Sequence, residues 1–183
     1  MSKNLKIFFI FLFLLSGCSY LSYLKDPFLK IPNFHKVNEN IYRGGEPKDQ
    51  KAWLYLKNLG IKTVINLTNS PCQKFLDEMG LKCVNIPLSI YKFPEDEKII
   101  KFLDTVTSQK NLPVFIYCKS GRDRTGLMVA IYRIIVEGKS IKEAYKEMLK
   151  FGFWPYRGVL KDYLHQIKDR QYYKENRWRK KSF

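Results

Sequence analysis

Cys118 is followed six positions later by Arg124, in the stretch Cys118-Lys119-Ser120-Gly121-Arg122-Asp123-Arg124-Thr125-Gly126. A thiolate is a strong nucleophile, and a guanidinium offers a planar fork that matches two phosphate oxygens. Together they suit attack on a phosphate ester. The spacing alone is weak evidence in a chain with four cysteines, but Leu24, Glu78 and Ser89 hold that offset from the other three. The setting adds weight. An apolar run, Pro113-Val114-Phe115-Ile116-Tyr117, reads as a buried strand leading into the stretch, and an apolar helix is predicted from Thr125 to Val136.

A loop that enters a helix N-terminus turns successive backbone N–H groups inward, and the helix dipole reinforces this anion-binding nest. The same field favours a thiolate over a thiol. Gly121 permits a backbone conformation that a Cβ would block. Lys119, Ser120, Gly121, Arg122, Asp123 and Arg124 are therefore the predicted phosphate-binding residues. The Thr125 hydroxyl is placed to donate to the Cys118 sulfur and help it leave. A plain buried cysteine with a nearby surface arginine leaves the strand–loop–helix setting unexplained.

Cys-x5-Arg-Thr-Gly resembles the signature loop of the protein tyrosine phosphatase superfamily, in its small dual-specificity branch. Ile41-Tyr42-Arg43-Gly44-Gly45-Glu46-Pro47 and Leu59-Gly60-Ile61-Lys62-Thr63-Val64-Ile65-Asn66-Leu67 resemble the opening strand and the helix-to-strand passage of that family. The resemblance implies a phosphocysteine on Cys118, a phosphate clamp at Arg124, and no metal or organic cofactor. Two positions depart from the pattern. Tyr117 stands where the family usually has His. After Ile86-Pro87 the chain runs Leu88-Ser89-Ile90, with no acid where a general acid is usual.

Two substitutes for that acid are weighed. Asp96, between Glu95 and Glu97, opens a predicted helix, where acids also serve the helix dipole. Asp123 lies inside the loop, as in the myotubularins and bacterial triple-specificity phosphatases, but also suits a structural ion pair with Arg43, Arg122 or Lys119. The basic rim of Lys119 and Arg122 resembles phosphoinositide-selective members, and equally suits a solvated edge. Expected substrates are phosphotyrosine proteins, phosphoinositides, soluble inositol phosphates or other phosphorylated lipids. Two other classes are considered: a phosphate-binding module without turnover, and a rhodanese-like sulfur transferase, against which Arg-Thr-Gly continuing into a helix argues.

The elements that must position this loop read as an α/β fold: a central, mostly parallel sheet of about four to five strands with helices on both faces. Strands are predicted at Ile41–Arg43, Thr63–Leu67, Cys83–Ile86 and Pro113–Tyr117. Helices are predicted from Pro47 to Leu59 with Ala52, Leu54, Tyr55, Leu56 and Leu59 inward, from Ser70 to Met79, from Pro94 to Thr107, from Thr125 to Val136, from a Ser140–Glu143 capping box to Lys150, and from Val159 towards residue 172.

At the N-terminus, Lys3 and Lys6 precede an unbroken apolar run from Ile7 to Leu15, too short to span a bilayer but suited to a signal peptide. Leu15-Ser16-Gly17-Cys18 resembles a bacterial lipobox, which implies a lipid on Cys18 and a location in the cell envelope, outside the cytoplasm; Ser19 leans towards an outer membrane. The chain divides into a signal at 1–17, a tether at 18–34, a phosphatase domain at 35–172 and a basic tail at 173–183. A solvated tail is expected, although Tyr173 and Trp178 among its cations also suit a membrane surface. Cys72 and Cys83 form a disulfide if their backbones come close enough, which an exported chain permits. The formal charge of +16 favours an anionic partner. The partners expected are a phosphorylated substrate and, through Cys18, a membrane; no nucleic acid is expected, and the chain is expected to act as a monomer.

Overall fold

The computed structural model describes residues 30–175, 177 and 178, so the apolar run and Cys18 lie outside the described residues. Strands β1 (His35–Asn38), β2 (Ile41–Gly45), β3 (Thr63–Asn66), β4 (Lys82–Asn85) and β5 (Val114–Cys118) form one sheet in the order β1-β2-β5-β3-β4. Among the described residues only the β1–β2 pair is antiparallel; β2–β5, β5–β3 and β3–β4 run parallel. The expected mostly parallel sheet is present. Its edge strand β1 was not anticipated, because His35-Lys36-Val37-Asn38 shows no apolar alternation. Backbone pairing to β2 makes it a strand, with His35 opposite Arg43.

The helices are α1 (Gln50–Asn58), α2 (Phe75–Glu78), α3 (Asp96–Thr107), α4 (Asp123–Ile135), α5 (Ile141–Lys150), α6 (Gly158–His165) and α7 (Gln171–Lys174). Strand alternation in β5 splits the core into two layers. Tyr117 meets Trp53 of α1 edge-on at 5.5 Å, and Phe115 stacks on Tyr117 at 5.8 Å. Val114, Ile116 and Cys118 belong instead to the main core, with Ile99, Phe102 and Leu103 of α3 and Leu127 and Ile131 of α4. Helix α4 is apolar on nearly every side because α5 and α6 cover what the sheet does not.

Several boundaries differ from expectation, each for a local reason. Helix α1 starts at Gln50, where Asp49 accepts the Ala52 N–H at 2.9 Å. In that register Ala52, Trp53 and Leu56 are buried and Leu54 is exposed. Ser70 caps no helix: Asn66 Nδ2 donates to its carbonyl at 2.8 Å, and Asn66 Oδ1 accepts from the Thr68 N–H and hydroxyl, winding residues 66–70 into a turn. Cys72 then bonds Cys83 of β4 with Cα atoms 6.1 Å apart, and α2 begins only at Phe75. The helix expected towards residue 172 ends at His165, followed by a 3-10 turn (Ile167–Asp169) and α7. The capping box of α5 is present as expected, with Ser140 and Glu143 satisfying each other.

The folded part reaches beyond the expected domain at both ends. Ile31 is buried, and the Gly45 N–H donates to the Pro32 carbonyl at 2.6 Å. In the basic tail, Trp178 is buried in the main core, its Nε1 donating to Asp104 at 2.8 Å. An indole with a carboxylate partner gains more from burial than from solvent, so this part of the tail is docked and not frayed.

Candidate active site

Strands β2, β5 and β3 end at one edge of the sheet: Gly45 lies opposite Cys118, and Asn66 opposite Tyr117. In open parallel sheets this carboxyl edge is where ligands bind. Cys118 is its last strand residue, buried and free of disulfide. Helix α4 starts at Asp123, two residues earlier than expected, which puts Asp123, Arg124 and Thr125 in its first turn. Only four residues separate Cys118 from the helix, so the chain must turn sharply.

Gly121 makes that turn with φ +71°, and a Cβ there would lie 2.4 Å from Gly44 C and Gly45 N. The conformation and the space both require glycine. The close approach runs both ways: a Cβ on Gly45 would meet Ser120 C at 3.0 Å and the Lys119 carbonyl at 3.1 Å. The Gly44-Gly45 pair that ends β2 is therefore the floor on which the loop rests.

Behind the loop, the Gly121 carbonyl accepts from Arg43 Nη2 at 2.7 Å and from Asn33 Nδ2 at 2.8 Å, and Asn33 also donates to the Phe151 carbonyl at 2.8 Å. A carbonyl held this way is kept from an anion on the other side of the loop. Arg43 is 1% exposed, stacks on Phe151 at 4.6 Å, and leaves Nε and Nη1 without hydrogen-bond partners. Burial pushes its guanidinium down to about 10, while Glu147 and Cys118 pull it back up. Cys118 and Arg43 are thus electrostatic neighbours inside the protein. Neither anchor is expected from the sequence to hold the loop; there Arg43 reads as part of the opening strand and as an ion-pair partner of Asp123. The Arg43-Gly44-Gly45 order was the available signal, whereas nothing local marks Asn33.

Arg124 Nη1 donates to the Leu67 carbonyl at 3.0 Å and the Leu88 carbonyl at 3.4 Å. Leu67 follows β3, and its N–H donates to the Tyr117 carbonyl at 2.9 Å, so these bonds hold the guanidinium across the sheet edge from Cys118. Lys119 and Arg122 are exposed, Ser120 is half-buried, and the Arg122 side chain lies along Gly152. Thr125 is fully buried, but its hydroxyl donates to the Gly44 carbonyl at 3.4 Å instead of to the Cys118 sulfur. The hydroxyl has one proton, and the glycine floor takes it.

The two candidate acids sit in different surroundings. Asp123 Oδ1 accepts the Trp154 N–H at 3.0 Å, tying the loop to the segment after α5 in place of the salt bridges considered for it. Asp96, at the start of α3, faces Arg170 at 3.7 Å. Glu95 is exposed and paired with Lys98. Tyr117 does not take the role of the usual His; its ring is packed against Trp53, and burial, helped by Glu46, pushes its phenol well above the ordinary tyrosine range. Glu46, just past β2, is a carboxylate beside this edge that sequence reasoning passed over.

A model of the tyrosine phosphatase family matches residues 28–182. The dual specificity protein phosphatase TpbA of Pseudomonas aeruginosa is 29% identical over 121 residues, covering 66% of this chain and 55% of its own. The inositol diphosphatase DSP2 of Oryza sativa is 31% identical over 110 residues, covering 55% and 53%. The chain thus spans about half the length of these relatives. Among solved structures, P. aeruginosa TpbA superposes with a TM-score of 0.64 at 23% identity, over 77% of this chain and 92% of that one. The catalytic core of the PP-IP phosphatase SIW14 from S. cerevisiae gives 0.66 at 23% identity, over 80% and 94%. These likenesses show a shared cysteine phosphatase fold. With the family model covering most of its length and Cys118 and Arg124 at the two ends of a glycine-pinned loop, the chain belongs to the tyrosine phosphatase family.

Proposed function

We propose that this chain is a phosphomonoesterase acting through a phosphocysteine. The observation that carries the reading is the turn from Cys118, at the end of β5, to Arg124, in the first turn of α4, pinned at Gly121 by Arg43 and Asn33. The Cys118 thiolate attacks phosphorus and the phosphorus–oxygen bond breaks. The leaving oxygen takes a proton from a carboxylic acid, while Arg124 and the loop amides hold the equatorial oxygens. Water then gives a proton to the carboxylate left by that acid and attacks the phosphocysteine, the phosphorus–sulfur bond breaks, and inorganic phosphate and the thiolate are released. The relatives named as a dual specificity phosphatase and an inositol diphosphatase support substrates among phosphorylated proteins and inositol phosphates. Asp96 and Asp123 remain the candidates for the acid.

The same proposal places the protein in a cell envelope, held by a lipid on Cys18. The apolar run ending at Leu15-Ser16-Gly17-Cys18 supports this, and so does the Cys72–Cys83 disulfide, a bond favoured in oxidising compartments. Among the described residues no helix is long and apolar enough to cross a membrane.

Turnover of aryl phosphates with leaving groups of graded pKa tests the chemistry. Wild type is expected to hydrolyse p-nitrophenyl phosphate, and Cys118→Ser to abolish the rate. Of Asp96→Asn and Asp123→Asn, the variant lacking the acid is expected to lose about a hundredfold or more on poor leaving groups and little on good ones. Undiminished turnover by Cys118→Ser would overturn the mechanism. A wild type that binds phosphate without turnover would favour the binding module.

A further inference from the structure

One of the two segments that contact the catalytic loop carries an arginine, Arg157, that the chemistry above does not use. Arg157 lies between two aromatic rings, its guanidinium carbon 5.5 Å from the Tyr91 centroid and 5.2 Å from that of Trp154. Tyr91 belongs to the segment after β4, whose Leu88 carbonyl receives Arg124. Trp154 belongs to the segment after α5, whose N–H is held by Asp123 of the catalytic loop. The two rings and the arginine therefore link the two segments that contact Arg124 and Asp123.

Among the described residues the Arg157 side chain makes no hydrogen bond or ion pair, and its Nε is buried without a partner. A guanidinium usually takes a carboxylate when one is within reach, and leaving a buried donor unpaired is unfavourable. Stacking holds this one in place while its outer N–H groups stay open. Arg157 also stands at the N-terminus of α6, whose first turn has no acidic residue. Tyr91 and Trp154 are 71% and 55% exposed, so the clamp is open to solvent.

We infer that Arg157, clamped by Tyr91 and Trp154, is a subsite for a second phosphate, so that the site selects substrates bearing another phosphate beside the one attacked. The inference rests on the phosphatase reading for the identity of the first subsite. A planar fork fits the second group as Arg124 fits the first, and a lysine would not stack in the same way. The shared chemistry is a ring or headgroup with neighbouring phosphates, either a free inositol polyphosphate or a phosphoinositide in a bilayer.

The test uses the full chain, with Arg157→Gln and Arg157→Lys. Inositol hexakisphosphate and inorganic phosphate are titrated as inhibitors of p-nitrophenyl phosphate hydrolysis. Hexakisphosphate is expected to inhibit wild type competitively. Arg157→Gln should weaken hexakisphosphate by about tenfold more than it weakens inorganic phosphate, with Arg157→Lys falling between. Equal weakening of both inhibitors, or none, would overturn the subsite. Two further arms compare wild type and Arg157→Gln on a soluble inositol polyphosphate and on phosphoinositide vesicles. A larger loss on either than on the aryl phosphate supports the subsite and identifies the source; no larger loss on both overturns it. If wild type lacks turnover, the phosphatase reading falls by itself. Calorimetric binding of hexakisphosphate to Cys118→Ser and to Cys118→Ser with Arg157→Gln then tests the subsite without catalysis, with equal affinities as the contrary result.

Discussion

At Gly121 a single hydrogen in place of a side chain lets the catalytic loop close on β2. A methyl group there would meet backbone at 2.4 Å in a conformation that L-residues seldom adopt. Gly121→Ala is therefore expected to cost more than about 2 kcal/mol in stability and about a hundredfold or more in turnover, since small displacements of reacting groups carry large rate penalties. Gly60→Ala is the control: φ is +81°, but nothing lies within 4 Å. It should cost about 1 kcal/mol and leave turnover unchanged. Denaturant midpoints and initial rates on both variants check the pair, and equal effects would refute the steric account. At this scale the sequence disclosed Cys118, Arg124 and the need for glycine at 121, because those depend on spacing within one short loop. It could not disclose Asn33, which is 88 residues from the carbonyl it holds, nor the Thr125 hydroxyl turning to Gly44, since both depend on which distant backbone arrives beneath the loop.

Among the elements, the parallel strands and the long helices were legible from apolar runs and capping residues. The short pieces were not. Strand β1 and helices α2 and α7 are held by pairing, by a disulfide and by side chains from elsewhere, and little in their own composition favours them. Strand β1 carries a measurable signature. His35 packs on the ring of Phe151 at 4.5 Å and lies opposite Arg43. Burial, then Arg43, then Lys150 push its imidazole below its ordinary value of 6.5. The folded protein thus binds fewer protons at His35 than the unfolded chain does just below that value. The stability this group contributes is complete above the unfolded pKa and is lost as pH falls through it towards the lower folded value. Because His35 is only half-buried, the effect should stay below about 1 kcal/mol. Melting curves between about pH 7 and pH 5 are expected to show a smaller drop for His35→Gln than for wild type. A larger drop in the variant would contradict this sign.

Across the whole molecule, the α/β layering followed from strands alternating with helices, and the excess of positive charge agreed with an anionic substrate without naming one. The folded part extends further at both ends than composition suggests. The prolines near residue 32 and the basic run near residue 178 read as linker and tail, yet Ile31, Asn33 and Trp178 each have partners in the fold. Composition records what a segment would do alone, and these segments are ordered by what they touch. The proposed anchor also belongs to this scale. Expressed from its full sequence in a bacterium, the protein should partition with the membrane fraction, and Cys18→Ala should lose lipid labelling and shift towards the soluble periplasmic fraction. Retention of label by Cys18→Ala would remove the anchor without touching the chemistry. The most direct test of the central claim is acid quenching during turnover, followed by mass spectrometry of the peptide that contains Cys118. A phosphoryl group on Cys118, absent from Cys118→Ser, is the predicted result; steady turnover with the phosphoryl group on another residue, or on none, would contradict the account.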